Sequence, residues 1–143
     1  MQVSKIMSRD IHLVNPDDTI VQVAKMMAEN DIGFLPVGEN DRLVGTITDR
    51  DIVVRYVAGD RNGDARVRDV MTADVKYCFE DEDIDDVTRN MGDIQVRRLP
   101  VVNRDKRLTG VVSLADTAHQ NPSVAGSCLK DITAPGGPTS QTG

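Results

Sequence analysis

The sequence predicts a mixed α/β fold of the α+β kind, built from two βαββα units, and three observations carry that expectation. The chain repeats itself, each copy holds a helical stripe followed by two short extended runs, and the composition is that of a packed chain. Residues 3–37 align without gaps on residues 67–101, placing Met7 opposite Met71, Asp10 opposite Asp74, Ile20 opposite Ile84, Val23 opposite Val87 and Met27 opposite Met91. Leu35-Pro36-Val37 falls on Leu99-Pro100-Val101, and after one extra residue 42–51 continue against 107–116. Of the 143 residues, 39% are hydrophobic and 28% charged, a balance that supports a core and argues against wholesale disorder. A chain of this size buries roughly 68–70% of its unfolded surface, so it needs no metal or disulfide staple.

The first helix of each copy follows from capping and periodicity. Asp17, Asp18 or Thr19 can cap a helix whose apolar positions Ile20, Val23, Ala24 and Met27 form an i, i+3, i+4, i+7 stripe. Ile84, Val87, Thr88 and Met91 repeat it. Extended runs follow at 34–37 and 99–102, where proline keeps the preceding residue out of the α region. Polar turns, GENDR and NRDKR, lead into second strands at 43–48 and 108–113, with Gly45 and Gly110 at matching places. Each copy therefore predicts a hairpin.

A second helix is expected to begin at Thr48 and at Ser113, since hydroxyls followed by acids make good N-caps. In the first copy it carries Ile52, Val53, Tyr56 and Val57, with Gly59 as its stop. One such unit leaves an apolar sheet face bare, so the two copies are expected to pack on each other. The expected organisation is a first domain over 3–60, a linker over 61–66, a second domain over 67–126 and a tail over 127–143. The last residues, rich in Pro, Gly, Ser and Thr, are expected to be disordered.

Composition narrows the function. Phe34, Tyr56, Tyr77 and Phe79 are the whole aromatic set, which opposes base-stacking on single-stranded nucleic acid. The net charge of −6, from 23 acids and 17 bases, opposes general binding to nucleic acid or to an anionic membrane, so an anionic ligand needs a local basic pocket. No apolar run reaches the roughly 20 residues of a membrane span, and the first residues lack a signal-type run, so a cytoplasmic location is expected. Cys78 and Cys128 lie far apart without a CxxC pattern and read as buried thiols. The acidic run over 80–86 lacks calcium-loop spacing and its glycine, and reads as a helix start. No phosphate-binding Walker loop, nucleophile–base pair or metal cluster stands out, so no catalytic activity, metal or enzyme cofactor is expected.

The ordered series of a Met-Ser or Met-Thr start, an acid-capped amphipathic helix, LPVV or LPV with a polar turn, and a Gly-containing strand ending in hydroxyl-x-x-Asp occurs twice. It resembles the CBS domain, named after cystathionine beta-synthase, and two in tandem resemble a Bateman module. The resemblance covers residues 3 to about 126, nearly the whole chain. It implies two βαββα units related by pseudo-two-fold symmetry and a cleft for an adenosine-containing ligand such as AMP, ADP, ATP, NAD or S-adenosylmethionine. It further implies a homodimer of disc shape, and a stand-alone bacterial-type sensor module with no appended enzyme or transporter, acting on a regulated protein that the sequence leaves unspecified.

The pieces matching the family's ligand motif are Gly45 to Asp51 and Gly110 to Asp116. A hydroxyl at a helix start beside free N–H groups suits a phosphate, and a carboxylate three residues on can accept ribose hydroxyls. By the resemblance, Thr48, Arg50 and Asp51 serve one site, walled by Val75, Lys76, Val96 and Arg97. Val111, Ser113 and Asp116 serve the other, walled by Ile11, His12, Ile32 and Gly33. Arg98 matches a position that often holds a phosphate-binding arginine for the Ser113 site; its counterpart Phe34 departs from that pattern. The bland alternative is that each hydroxyl only caps its helix and each acid is an ordinary first-turn residue.

Overall fold

The computed structural model describes residues 1–61 and 63–135. Within them the chain divides into two units: His12–Val75, called the Thr48 unit, and Met1–Ile11 with the chain from Lys76 onward, called the Ser113 unit.

In the Thr48 unit, α1 (Ile20–Asn30) starts at Thr19 in a reciprocal cap. Gln22 N donates to Thr19 Oγ1 at 3.2 Å, and Thr19 N donates to Gln22 Oε1 at 2.9 Å. The stripe buries Ile20, Val23 and Met27, as periodicity requires. β1 (Phe34–Glu39) pairs antiparallel with β2 (Arg42–Thr48). The turn is only Asn40-Asp41, both at positive φ, 55° and 64°, which matches a two-residue primed turn and lets the strands run further into GENDR than expected. The unit's first strand shrinks to a single parallel bridge, Val14 to Val37.

Beyond Thr48 the second helix departs from expectation. A single α turn, α2 (Asp49–Asp51), passes into a π-helical stretch over Ile52–Val57. Ala58 N donates to Val53 O, five residues back, at 2.9 Å. Ile52 and Tyr56 still pack on the core, while Val53, Val54 and Val57 are exposed. Arg55 donates to Val70 O and Met71 O at 3.0 and 3.1 Å, fastening this stretch to α3 (Val67–Val70).

The Ser113 unit opens with a 3₁₀ turn over Val3–Lys5 and holds a three-stranded sheet. β3 (Cys78–Phe79) runs parallel to β4 (Arg98–Val102), which pairs antiparallel with β5 (Leu108–Ser113). α4 (Ile84–Asp93) starts at Asp83, whose side chain accepts from Asp85 N at 2.8 Å. After α5 (Leu114–Ala118) comes α6 (Pro122–Ile132), which packs along α4.

That last helix corrects the expected tail from residue 127. Asn121 caps it, Pro122 sits in its first turn, and Ala125, Cys128 and Ile132 bury one face. Cys128 and Ile132 join Ile84, Val87, Met91 and Leu99 in the core. The disorder expected of the last residues falls, from residue 136 on, outside the described residues.

The units also differ from the sequence repeats, because the repeats exchange their leading segments. Ser8 of the first repeat pairs with Val111 through two backbone hydrogen bonds of 2.9 and 3.0 Å, while Thr72 of the second pairs with Thr46 at 2.8 and 3.0 Å. Gly45 and Gly110 match for this reason. A Cβ on Gly110 would stand 2.8 Å from Ser8 O and 2.6 Å from Met7 Sδ; one on Gly45 would stand 2.9 Å from Thr72 O. Within the stretch expected as a linker, Ala65 is buried, its carbonyl accepts from Ile20 N, and Arg66 bridges Thr19.

Candidate functional site

Both hydroxyl–acid pairs form the same local structure. Thr48 N donates to Asp51 Oδ2 at 3.0 Å and Asp51 N donates to Thr48 Oγ1 at 3.0 Å. Ser113 N donates to Asp116 Oδ2 at 2.9 Å and Asp116 N to Ser113 Oγ at 3.1 Å. Each pair is thus a capping box that satisfies two backbone donors. The hydroxyl proton and the other carboxylate oxygen of each pair make no hydrogen bond among the described residues, so each box still offers one donor and one acceptor.

The free N–H groups expected at these helix starts are largely committed. Leu114 N donates to Arg97 O at 2.8 Å, Asp49 N to Gly33 O at 3.0 Å, and Arg50 N to Asp49 Oδ1 at 2.8 Å. A phosphate at either place therefore depends mainly on side chains.

The Ser113 unit supplies those side chains. Arg98 and Ser113 are register partners at the ends of β4 and β5, and Arg97 lies one residue earlier. Both arginines are exposed, and with Ser113 and Leu114 they line an open groove of about 550 Å³. Its helical wall comes from Ala118 on α5 and from Ala125, Gly126 and Leu129 on α6. These α6 residues escaped the sequence reading. The Asn-Pro start at 121–122 and the i, i+3, i+7 spacing of Ala125, Cys128 and Ile132 are the signals that mark the helix.

The other predicted residues separate by unit. Ile32, Gly33, Thr48, Arg50 and Asp51 meet in the Thr48 unit, where Phe34 is the register partner of Thr48. A Cβ on Gly33 would lie 2.7 Å from Asp49 Oδ2, so a carboxylate stands where the Ser113 unit has Leu114. His12 and Val75 begin and end that unit; Ile11 and Lys76 belong to the other. Arg97, expected to serve the Thr48 site, lines the groove beside Ser113 of its own repeat, as does Arg98. Val96 packs against the Ser113-unit core, and both backbone groups of Val111 are taken by Ser8.

The acidic run is used structurally. Asp83 caps α4, and the Asp85 N–H bond holds its carboxyl below the usual range. Asp81 pairs with Arg104 through contacts of 2.9 and 2.7 Å, and that hydrogen bonding lowers its carboxyl likewise. Burial, with a smaller contribution from Glu82, pushes the Cys78 thiol up to about 12, and burial also raises Cys128. Neither thiol has the depressed pKa of a reactive cysteine. Among the described residues no cluster of three or more His, Cys, Asp or Glu is placed to hold a metal ion, and no helix is long and apolar enough to cross a membrane.

The twofold capping box on a twofold hairpin defines a class of protein. The CBS domain model matches residues 3–58 and 67–119, and the chain belongs to the CBS domain family as a tandem pair. It is 35% identical over 133 residues to the CBS domain-containing protein YhcV of Bacillus subtilis, covering 92% of this chain and 94% of that one. Its fold is similar to the CBS domain protein TA0289 of Thermoplasma acidophilum, described as of unknown function, with a TM-score of 0.80, 27% identity, and coverage of 92% and 75%. It is also similar to the CBS domain pair of protein MJ0100 in complex with 5'-methylthioadenosine and S-adenosyl-L-methionine, at a TM-score of 0.74, 26% identity, and coverage of 84% and 94%.

Proposed function

We propose that this chain is a non-catalytic regulatory module that binds an adenosine-containing ligand and signals through ligand-dependent conformation or oligomer state. The observation that carries the reading is the groove at Ser113, where Arg97 and Arg98 stand beside a capping box with an unused hydroxyl proton and carboxylate oxygen. Guanidinium groups take phosphate in charge-assisted, bidentate contacts, and a carboxylate accepts ribose hydroxyls. The ligands of the MJ0100 pair support the adenosine class. AMP, ADP, ATP and NAD suit the Ser113 site, while S-adenosylmethionine, which lacks phosphate, suits the Asp49-bearing Thr48 site. Ile11, His12, Ile32, Gly33, Val75, Lys76 and Val96 enter the proposal as further contacts carried over by position. A cytoplasmic homodimer acting on a separate regulated protein completes it.

A sensor must bind its ligand differently in two states, since equal affinity shifts nothing. Thermal shift against AMP, ADP, ATP, NAD and S-adenosylmethionine tests binding. A ligand at about a hundredfold its Kd stabilises by roughly 2.7 kcal/mol, so a clear rise in melting temperature is expected with at least one. Ser113→Ala and Arg98→Ala are each expected to reduce the shift from the phosphorylated ligands. No shift with any of the five at millimolar concentration overturns the proposal. It would favour the second reading, a structural dimerisation module in which the boxes only cap helices, a reading supported by the reciprocal cap that each hydroxyl–acid pair already makes.

A further inference from the structure

The residue after each capping box is tied to the residue before the first strand of its hairpin, and the two ties differ in character. Leu114 N donates to Arg97 O at 2.8 Å and Asp49 N donates to Gly33 O at 3.0 Å, so 97 and 33, like 114 and 49, hold matching places beside their boxes. We propose that Gly33 and Asp49 act as a coupled specificity determinant: Asp49 discriminates against a phosphorylated ligand at the Thr48 site, and Gly33 is the residue that makes room for its carboxylate. The inference rests on the ligand reading above and assigns the discrimination between the two sites to particular residues.

A Cβ on Gly33 would lie 2.7 Å from Asp49 Oδ2 and 3.0 Å from Asp49 Cγ, so the carboxylate occupies the place from which a side chain at position 33 would leave. At the matching place Arg97 carries its side chain, which lines the groove beside Ser113. Phe34, the register partner of Thr48, stands where Arg98 partners Ser113. Neither guanidinium of the Ser113 groove therefore has a counterpart at these positions, and a negative charge takes the room that one of them would need. Arg50 is the remaining cation of the Gly45 to Asp51 motif, and it lies between Asp49 and Asp51. Asp49 also acts on the backbone. Its Oδ1 accepts from Arg50 N at 2.8 Å, which withdraws a donor from any anion, whereas Leu114 has no side-chain oxygen to take the matching N–H of Ala115. A fixed like charge and a committed donor both weigh against phosphate, and neither weighs against an uncharged nucleoside.

The test is isothermal titration of the full chain with AMP and with adenosine, its uncharged counterpart. The parent is expected to take a first AMP and to bind a second about tenfold or more weakly. In Asp49→Asn, which removes the charge and keeps an oxygen for Arg50 N, the AMP-to-adenosine affinity ratio of that weaker site is expected to rise about tenfold at low salt, and the gain to shrink as salt is raised. Gly33→Arg combined with Asp49→Leu, which transfers the Ser113 unit's pair, is expected to raise the ratio further. Adding Arg98→Ala to either variant should weaken the first equivalent and spare the gained one. Circular dichroism and melting temperature report folding; Asp49→Asn is a conservative change at an exposed residue, so it keeps the test intact should the double variant fail to fold. If the parent binds two AMP equally well, or if the ratio does not rise in Asp49→Asn, the inference falls while the sensor reading stands. If neither AMP nor adenosine binds the parent or any variant, the sensor reading falls and takes the inference with it.

Discussion

The Thr48 and Ser113 units share a hairpin and a reciprocal cap, then part at the next residue. After Thr48 comes Asp49, whose carboxylate stands over Gly33, followed by the π-helical stretch with three exposed valines. After Ser113 comes Leu114, and the chain returns through α6 across α4, leaving a groove edged by two arginines. One motif therefore sits in two fields, one carrying an added carboxylate and the other two guanidiniums. The capping box sets backbone geometry, while its neighbours set charge and space.

The largest expected effect breaks the packing half of this comparison. Met91 is fully buried in the core that α6 joins through Cys128 and Ile132, whereas its repeat partner Met27 is 7% exposed in the core of the Thr48 unit. Replacing either by alanine is expected to cost about 2–5 kcal/mol, with Met91→Ala at the upper end. Urea denaturation of the two variants checks the order, and equal losses would mean that α6 adds no packing at that site.

Next in size is the exchange of leading segments. Gly110→Ala and Gly45→Ala each drive a methyl against a backbone carbonyl and a methionine sulfur, with the tighter approach at Gly110. Losses of about 1–3 kcal/mol are expected, larger at Gly110, because overpacking forces the paired segment to shift. A variant as stable as the parent would show that Met7–Ser8 or Met71–Thr72 moves freely.

The smallest effect is electrostatic and concerns the Ser113 unit. Arg104 lowers the Asp81 carboxyl and the Asp85 N–H lowers that of Asp83, both below the usual carboxylate range. A carboxyl lowered in the folded state stabilises above its unfolded pKa, and that contribution is lost as pH falls through the folded value. Asp81→Asn is therefore expected to be slightly less stable than the parent at neutral pH and to converge with it in acid. Urea midpoints measured from neutral pH into the acid limb check the sign; a gap that widens on acidification contradicts it.

Much of this was legible along the chain. The repeat shows on comparing the two halves of the chain, and the stripes of α1 and α4, the hairpins and the Thr48 and Ser113 caps follow from residues within a few positions of one another. The π-helical stretch was not, since Ile52, Val53, Tyr56 and Val57 also suit an α-helix and the wider winding goes with Arg55 reaching Val70 and Met71. Arg97 and Arg98 were visible as charges, but their place beside α6 depended on recognising a helix that small residues disguise.

The sequence by itself determined the twofold pattern, the local elements, and the donors and acids available to a ligand, because these depend on periodicity and short-range hydrogen bonds. Only the tertiary structure decided that each repeat lends its leading segment to the other's hairpin and that α6 turns the Ser113 site into a groove. Those outcomes depend on which apolar faces find partners distant in the chain, which no local pattern records.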